Sequence, residues 1–305
     1  MNLFDLIAGV GQISRKATRL LWLYPISLYG GWTRRSLFDK VRINCMFIGY
    51  PRSGHSLIGS LLDAHPNAIV AHELDALQFI HAGYGRRQIY YLLLKNSQTS
   101  GMRRRTIGTY SYVVGDQWQG KVDRLHVIGD KHAEGATLRF QAWPWLLERL
   151  QRTIKAEMRF IHTIRNPFDN ITTISLRTKV RGRPLDLQES VNYYFSLCRT
   201  VVDVKKQISP GNLFEIRHEA FIEEPQRHLS ALCEFLGLDA SEGYLKACSE
   251  IVYKTPHQSR FEVQWNTALI DQVNRNIGEF PFLHGYTFSS LEKPLSMLSR
   301  PLSPG

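Results

Sequence analysis

The segment from Val41 to Ala64 constrains the fold of this chain more than any other. Val41 to Ile48 reads V-R-I-N-C-M-F-I, a run of β-branched and aromatic residues suited to a buried strand. Gly49 to Ser56 follows as G-Y-P-R-S-G-H-S, and Ser56 to Ala64 then carries Leu57, Ile58, Leu61 and Leu62 at helical spacing until His65-Pro66 ends it. A strand that turns through glycines into a helix points backbone N–H groups and the positive helix end at one spot, which suits an anion. The loop matches the phosphate-binding pattern G-x-x-x-x-G-K-[ST] at every position but the lysine, where His55 stands. A neutral histidine reaches a terminal phosphate poorly, whereas Arg52 offers a fixed charge from the other side of the loop. Alone, the pattern fits a plain strand-to-helix turn as well.

The rest of the chain repeats the alternation. Leu125 to Ile128 is a short apolar run ending in Gly129-Asp130-Lys131, and Met158 to Ile164 is a strand ending in Arg165-Asn166-Pro167, with a helix expected between them at Ala142 to Leu150. A helix should run from Pro167 to about Leu176, with Asp169 in its first turn where the helix dipole favours negative charge. Asn212 to Arg217 reads as another strand, and Pro225 to Leu236, closed by Gly237, as the next helix. This order predicts an α/β fold, a P-loop-type parallel sheet flanked by helices with a helical insertion. Sites in such folds form at the carboxyl ends of the strands, where Gly49 to His55, Asp130-Lys131 and Arg165 all fall. Arg165, with Thr172, Thr173 and Ser175 on the following helix, makes a second place for an anion.

These motifs carry a family resemblance. P-R-S-G-H-S resembles the P-K-S-G-T-T loop by which sulfotransferases hold the 5′-phosphosulfate of the donor PAPS (3′-phosphoadenosine-5′-phosphosulfate), and R-N-P-F-D-N-I-T-T resembles the R-[ND]-P-x-D-x-x-x-S element that grips its 3′-phosphate. The stretch F-E-I-R-H-E-A-F-I-E-E-P-Q-R-H-L-S-A-L-C-E-F-L-G-L is similar to a third one common in the family, and the three occur in the family's order. The resemblance implies that Arg52, Ser53, Gly54, His55 and Ser56 surround the 5′-phosphosulfate while Arg165 and Thr173 hold the 3′-phosphate, with Ser175 as the alternative to Thr173. It further implies a closing basic loop at K-T-P-H-Q-S-R, with Ser259 and Arg260 facing the 3′-phosphate, and release of the product PAP, with no metal required.

The expected reaction moves the sulfuryl group to a hydroxyl or amine by in-line attack, with a base on one side and positive charge from Arg52, Lys131 and the loop amides on the other. The family draws its base from different positions, and two candidates exist here: Glu73 in A-H-E-L-D-A-L, a carboxylate that partial burial would raise toward neutral pKa, and His132 beside Lys131 in G-D-K-H-A-E-G. A nucleotide-dependent kinase is the main competing reading; it needs a cation at position 55 and an acidic magnesium ligand, for which Asp130 is the candidate. A catalytically inactive binding protein on the same fold is the other.

The formal charge of +11, with clusters at Arg34-Arg35, Arg86-Arg87 and Arg103-Arg104-Arg105, suits an anionic or carbohydrate acceptor, and no recognition motif points to nucleic acid. The acceptor itself, whether a glycan, a lipid-linked sugar or a small metabolite, is not written in the sequence. Ala82 to Gln119, with Tyr84, Tyr90, Tyr91, Tyr110, Tyr112 and Trp118, reads either as the wall of an acceptor pocket or as the core of a helical subdomain. Residues 1–40 form an expected amphipathic helical extension, 41–290 the sulfotransferase domain, and 291–305, rich in Ser and Pro, a flexible tail. The four scattered cysteines and the lack of a signal-peptide pattern predict a cytoplasmic protein. Leu20 to Leu28 is too short to span a bilayer, but its apolar residues beside basic ones suit contact with a membrane surface as well as packing on the domain.

Overall fold

The computed structural model describes residues 3–104, 106–107, 110–180 and 182–289; the expected tail at 291–305 lies outside them, as do the side chains of Arg103, Arg104, Arg105 and Tyr110. Five strands form the central sheet: β1 (Ile43–Ile48), β2 (Ala68–His72), β3 (Val127–Lys131), β4 (Glu157–Ile164) and β5 (Leu213–Arg217). Their order is β2-β3-β1-β4-β5, and every neighbouring pair is parallel, with Cys45 opposite Gly129 and Ile48 opposite His162. The α/β fold expected from the alternation is therefore the fold observed.

All six residues of β1 are buried, because a parallel strand is covered on both faces. Its side chains divide by the two-residue period of a strand. Cys45 and Phe47 pack with Leu57, Leu61 and Leu62 of α2 (His55–Asp63) and with Leu229, Leu232 and Leu236. Met46 and Ile48 face the opposite layer, among Phe140, Leu147 and Val201. That layer contains the one expected helix the structure redraws: Ala142 to Leu150 is split into Ala133–Ala142 and Leu146–Ile154, with Pro144 in the break. β2 is a strand that the sequence pattern leaves unmarked, being only five residues long before Glu73 turns away.

Between β2 and β3 lies the helical insertion, dominated by α3 (Arg86–Arg104), against which the N-terminal helix α1 (Leu3–Thr33) is laid. Small residues make that contact close. Ser27 is buried, and a Cβ at Gly30 would run into the Tyr91 ring while one at Gly31 would stand 2.8 Å from the Arg87 carbonyl oxygen. Gln88 Nε2 donates to the Tyr24 carbonyl and the Ser27 hydroxyl, both at 3.2 Å, and the Tyr84 hydroxyl donates to the Leu20 carbonyl. Tyr90 is fully buried with its ring edge-on to Phe38. Of the two readings open for the tyrosines, Tyr84, Tyr90 and Tyr91 follow the core one. All four cysteines are buried free thiols, and no helix among the described residues is long and apolar enough to cross a membrane.

Candidate active site

Each strand presents a polar residue at its carboxyl end. β1 leads into the glycine loop, β2 into Glu73, β3 ends on Lys131, β4 leads into Arg165 and β5 into His218. The loop needs the left-handed backbone at three places, Gly49 (φ 136°), Arg52 (φ 67°) and Gly54 (φ 91°). Gly54 has a second reason to lack a side chain, since a Cβ there would collide with the His218 ring. The Ser53 hydroxyl donates to the Tyr50 carbonyl at 3.2 Å and lies 3.1 Å from His55 Nδ1. Burial and the nearby Lys131 ammonium push the His55 pKa well below its usual value, so the ring is neutral at pH 7. Arg52 is exposed and turned away from the loop, donating to the Arg177 carbonyl at 3.1 Å.

At the centre of the site stands Lys131, only 1% exposed. Its chain crosses α2 at Gly59, where an added Cβ would lie 2.8 Å from Lys131 Cβ. Nζ donates to the Ser56 hydroxyl and to Glu73 Oε1, both at 2.9 Å. Glu73 occupies a left-handed conformation (φ 56°), which Asp130 makes tenable from below: Oδ1 accepts from Leu74 N at 3.1 Å and Oδ2 from Ala76 N at 2.8 Å. Burial raises the Glu73 pKa, but the Lys131 charge and hydrogen bond outweigh it and bring the carboxyl down to about 2. The expectation that partial burial lifts this carboxylate toward neutrality is thus reversed, because a buried ammonium stands beside it. His132, the other candidate base, faces away; its Nδ1 is 4.0 Å from Asp75 Oδ1, and Asp75 is itself held by Arg139.

The second anion place is assembled from three parts of the chain. Arg165, 8% exposed, donates through Nη1 to the Arg52 carbonyl at 3.1 Å and through Nη2 to the His257 carbonyl at 2.6 Å. The Thr173 and Ser259 hydroxyls are 2.8 Å apart, and both donate to the Asp169 carbonyl. Arg260 is committed inward: its backbone N–H and Nη1 bind the two carboxylate oxygens of Asp169 at 2.8 and 2.5 Å, and Nε donates to the Phe288 carbonyl at 2.9 Å. So Arg165, Thr173 and Ser259 are brought together, while the Arg260 side chain braces Asp169 in the first turn of the helix that carries Thr173. Ser175 donates instead to the Thr172 carbonyl.

The sequence profile of the sulfotransferase family matches residues 46–242, more than half of the chain. This chain belongs to the sulfotransferase family. No curated protein matches it. Among solved structures it is similar to the sulfotransferase domain from the curacin biosynthetic pathway (16% identity, 78% of this chain and 97% of that one, TM-score 0.48) and to a sulfotransferase from Alicyclobacillus acidocaldarius (14%, 78% and 94%, 0.44). A mouse sulfotransferase complexed with PAP is a further one (11%, 76% and 72%, 0.40).

His218 escapes sequence reasoning in this sulfotransferase site, and Asp130 and Tyr112 are placed there with contacts that the sequence does not carry. His218 is half-buried, and desolvation of its ring followed by the Arg165 charge lowers its pKa to about 3. It stands against the loop at Gly54, and nothing but its place after a strand marks it. Asp130, a candidate magnesium ligand by pattern, uses both oxygens on the turn that carries Glu73. Tyr112 is within electrostatic reach of Arg52, Glu73 and Tyr253, held there by Gln119, which donates to the Tyr112 carbonyl at 2.8 Å and the Ser60 carbonyl at 3.1 Å. Among the described residues no three His, Cys, Asp or Glu side chains converge as metal ligands would.

Proposed function

We propose that this chain is a PAPS-dependent sulfotransferase acting on a hydroxyl- or amine-bearing acceptor, a glycan, lipid-linked sugar or small metabolite. The observation that carries the reading is the joint Ser56–Lys131–Glu73 contact, which sets a cation, a hydroxyl and a carboxylate at the mouth of an anion-binding loop. A second anion place is tied to that same loop through Arg165 and the Arg52 carbonyl. A donor with phosphates at both ends of its ribose fits two such places better than a donor with one chain of phosphates. The residues present suit it: loop N–H groups, Ser53 and Ser56 for the 5′ end, and Arg165, Thr173 and Ser259 for the 3′ end.

PAPS would supply a sulfuryl group on a phosphate leaving oxygen. Lys131 then transfers its hydrogen bond from Glu73 to that oxygen, where negative charge develops as the S–O bond breaks. Released from its ammonium, the Glu73 carboxylate regains basicity and accepts the proton of the acceptor hydroxyl as the new O–S bond forms. Glu73 is therefore favoured over His132 as base by its contact with Lys131. Tyr112 and Tyr253 offer ring surface on the acceptor side. The kinase reading is weakened at both of its requirements, since His55 is neutral and the Asp130 oxygens are occupied by backbone amides.

Calorimetry with PAP in the presence of a chelator, against ADP with magnesium, tests the donor. Metal-independent binding of PAP supports the proposal, and a preference for ADP with magnesium overturns it. PAP binding without sulfuryl transfer to any of a panel of sugars and phenols would favour the inactive binding protein.

A further inference from the structure

Among the described residues, half of the exposed large apolar side chains sit on one short stretch of α1. Leu21, Trp22, Tyr24, Ile26, Leu28, Tyr29 and Trp32 are 43–75% exposed. They are not scattered around the helix. Leu21, Pro25, Leu28 and Trp32 form one ridge at four- and three-residue intervals, and Trp22, Ile26 and Tyr29 form the adjacent one. The opposite side, with Ser27, Gly30 and Gly31, is the side packed on α3. The usual arrangement of a surface helix, apolar inside and charged outside, does not hold here: Leu20 and Leu23 pack on the core, and the outer side is apolar as well. From Leu20 to Thr33 there is no charged residue at all.

Charge lies at the two ends of the stretch. Between Ser14 and Arg42 stand seven basic residues, Arg15, Lys16, Arg19, Arg34, Arg35, Lys40 and Arg42, and one acid, Asp39. Asp39 is paired with Arg86 and Arg87, which adds two further guanidinium groups beside the patch. Arg35 lies over the Trp32 ring, 5.2 Å from its centroid.

We infer that this face of α1 docks on the surface of an anionic lipid bilayer. An apolar patch with two tryptophans and Tyr29, uncharged along its length and basic at both ends, matches the layered chemistry of that surface. The rings and aliphatic chains enter the boundary between headgroups and acyl chains, and the arginines meet lipid phosphates. The helix lies flat, since its rear face is already bonded to the domain through Gln88, Tyr84 and the two glycines. A second copy of the chain would bury the same rings, but the basic ends would then oppose basic ends across a two-fold interface.

Flotation of the full chain with vesicles of phosphatidylcholine alone, and of phosphatidylcholine mixed with phosphatidylglycerol, tests the inference. Binding to the mixed vesicles at least about tenfold stronger than to the neutral ones is expected, falling several-fold in high salt. The double variant Trp22→Ser/Trp32→Ser should lose about tenfold or more of that binding, and Arg34→Glu/Arg35→Glu should remove the preference for the anionic lipid. Trp22, Trp32 and Arg35 are exposed and Arg34 is half-buried over the Tyr91 ring, and unchanged circular dichroism and PAP affinity would show that fold and site are intact. Absence of wild-type flotation on the mixed vesicles overturns the inference. So does sedimentation showing a dimer that the tryptophan variant dissolves while vesicle binding is unaffected.

Discussion

The glycine loop and the Arg165 clamp both offer to hold an anion, yet they are built on opposite plans. The loop is local and made of backbone: eight consecutive residues, two of its glycines at positive φ, and a neutral histidine where a charge is customary. The clamp is non-local and made of side chains, with Arg165, Thr173 and Ser259 arriving from three segments and already bonded to one another or to carbonyl groups. A backbone site is preorganised by conformation, a side-chain site by its supporting bonds. Substitutions should therefore damage the two in different ways.

The largest effect should come from the brace under the clamp. Arg260→Met leaves the Asp169 carboxylate buried beside an apolar chain, and unfolding measurements should show a loss of about 3–5 kcal/mol, most of it recovered in Asp169→Leu/Arg260→Met. If the single variant costs less than about 1 kcal/mol, the clamp is not held in this way. Next, Gly59→Ala pushes Lys131 off its path across α2. Sulfuryl transfer should fall about a hundredfold while PAP affinity stays within about threefold, since the loop amides are untouched. Equal losses in both would erase the distinction between loop and reacting centre. Arg165→Lys, which retains charge but loses the fork joining the Arg52 and His257 carbonyls, should weaken PAP binding about 10- to 100-fold by calorimetry.

The smallest effect concerns Glu73. Its folded pKa of about 2 lies below the ordinary carboxyl value of 4.5, so the stability it contributes is present above about pH 4.5 and is lost as pH falls toward 2. The stability difference between the wild type and Glu73→Gln should be flat from pH 8 to about 5 and shrink below that, on denaturation curves taken across the range. A difference that instead changes near pH 6 to 7 would mean the carboxyl is not held by Lys131.

The same contrast explains what could be read from the sequence. The loop was legible because its determinants are neighbours, a β-branched run, glycines and a helical period, and these also disclosed the parallel sheet. Glu73 was legible as a residue but not in its chemistry. Its conformation depends on Asp130, and its low pKa on Lys131, which meet it only once β2 and β3 pair with His72 opposite Lys131. Arg260 was placed near the clamp by resemblance, but its inward ion pair is a consequence of burial that spacing does not carry. Tyr84, Tyr90 and Tyr91 show the limit from the other side. Aromatic rings suit a sugar and a helix interface equally, and only their packing decides between the two: Tyr91 against Gly30, Tyr84 against Tyr24 and Tyr90 against Phe38.

The clamp has one further consequence, for where this domain can be cut. The match to the family ends at residue 242, yet His257, Ser259 and Arg260 lie beyond it and Arg260 reaches on to the Phe288 carbonyl. A chain trimmed at that border would keep every strand of the sheet, all of the glycine loop and both halves of the Lys131–Glu73 pair, and still leave Asp169 without its counter-ion. The portion that the family profile matches is smaller than the portion that must fold together, so a graft or minimal fragment of this protein has to extend through Phe288.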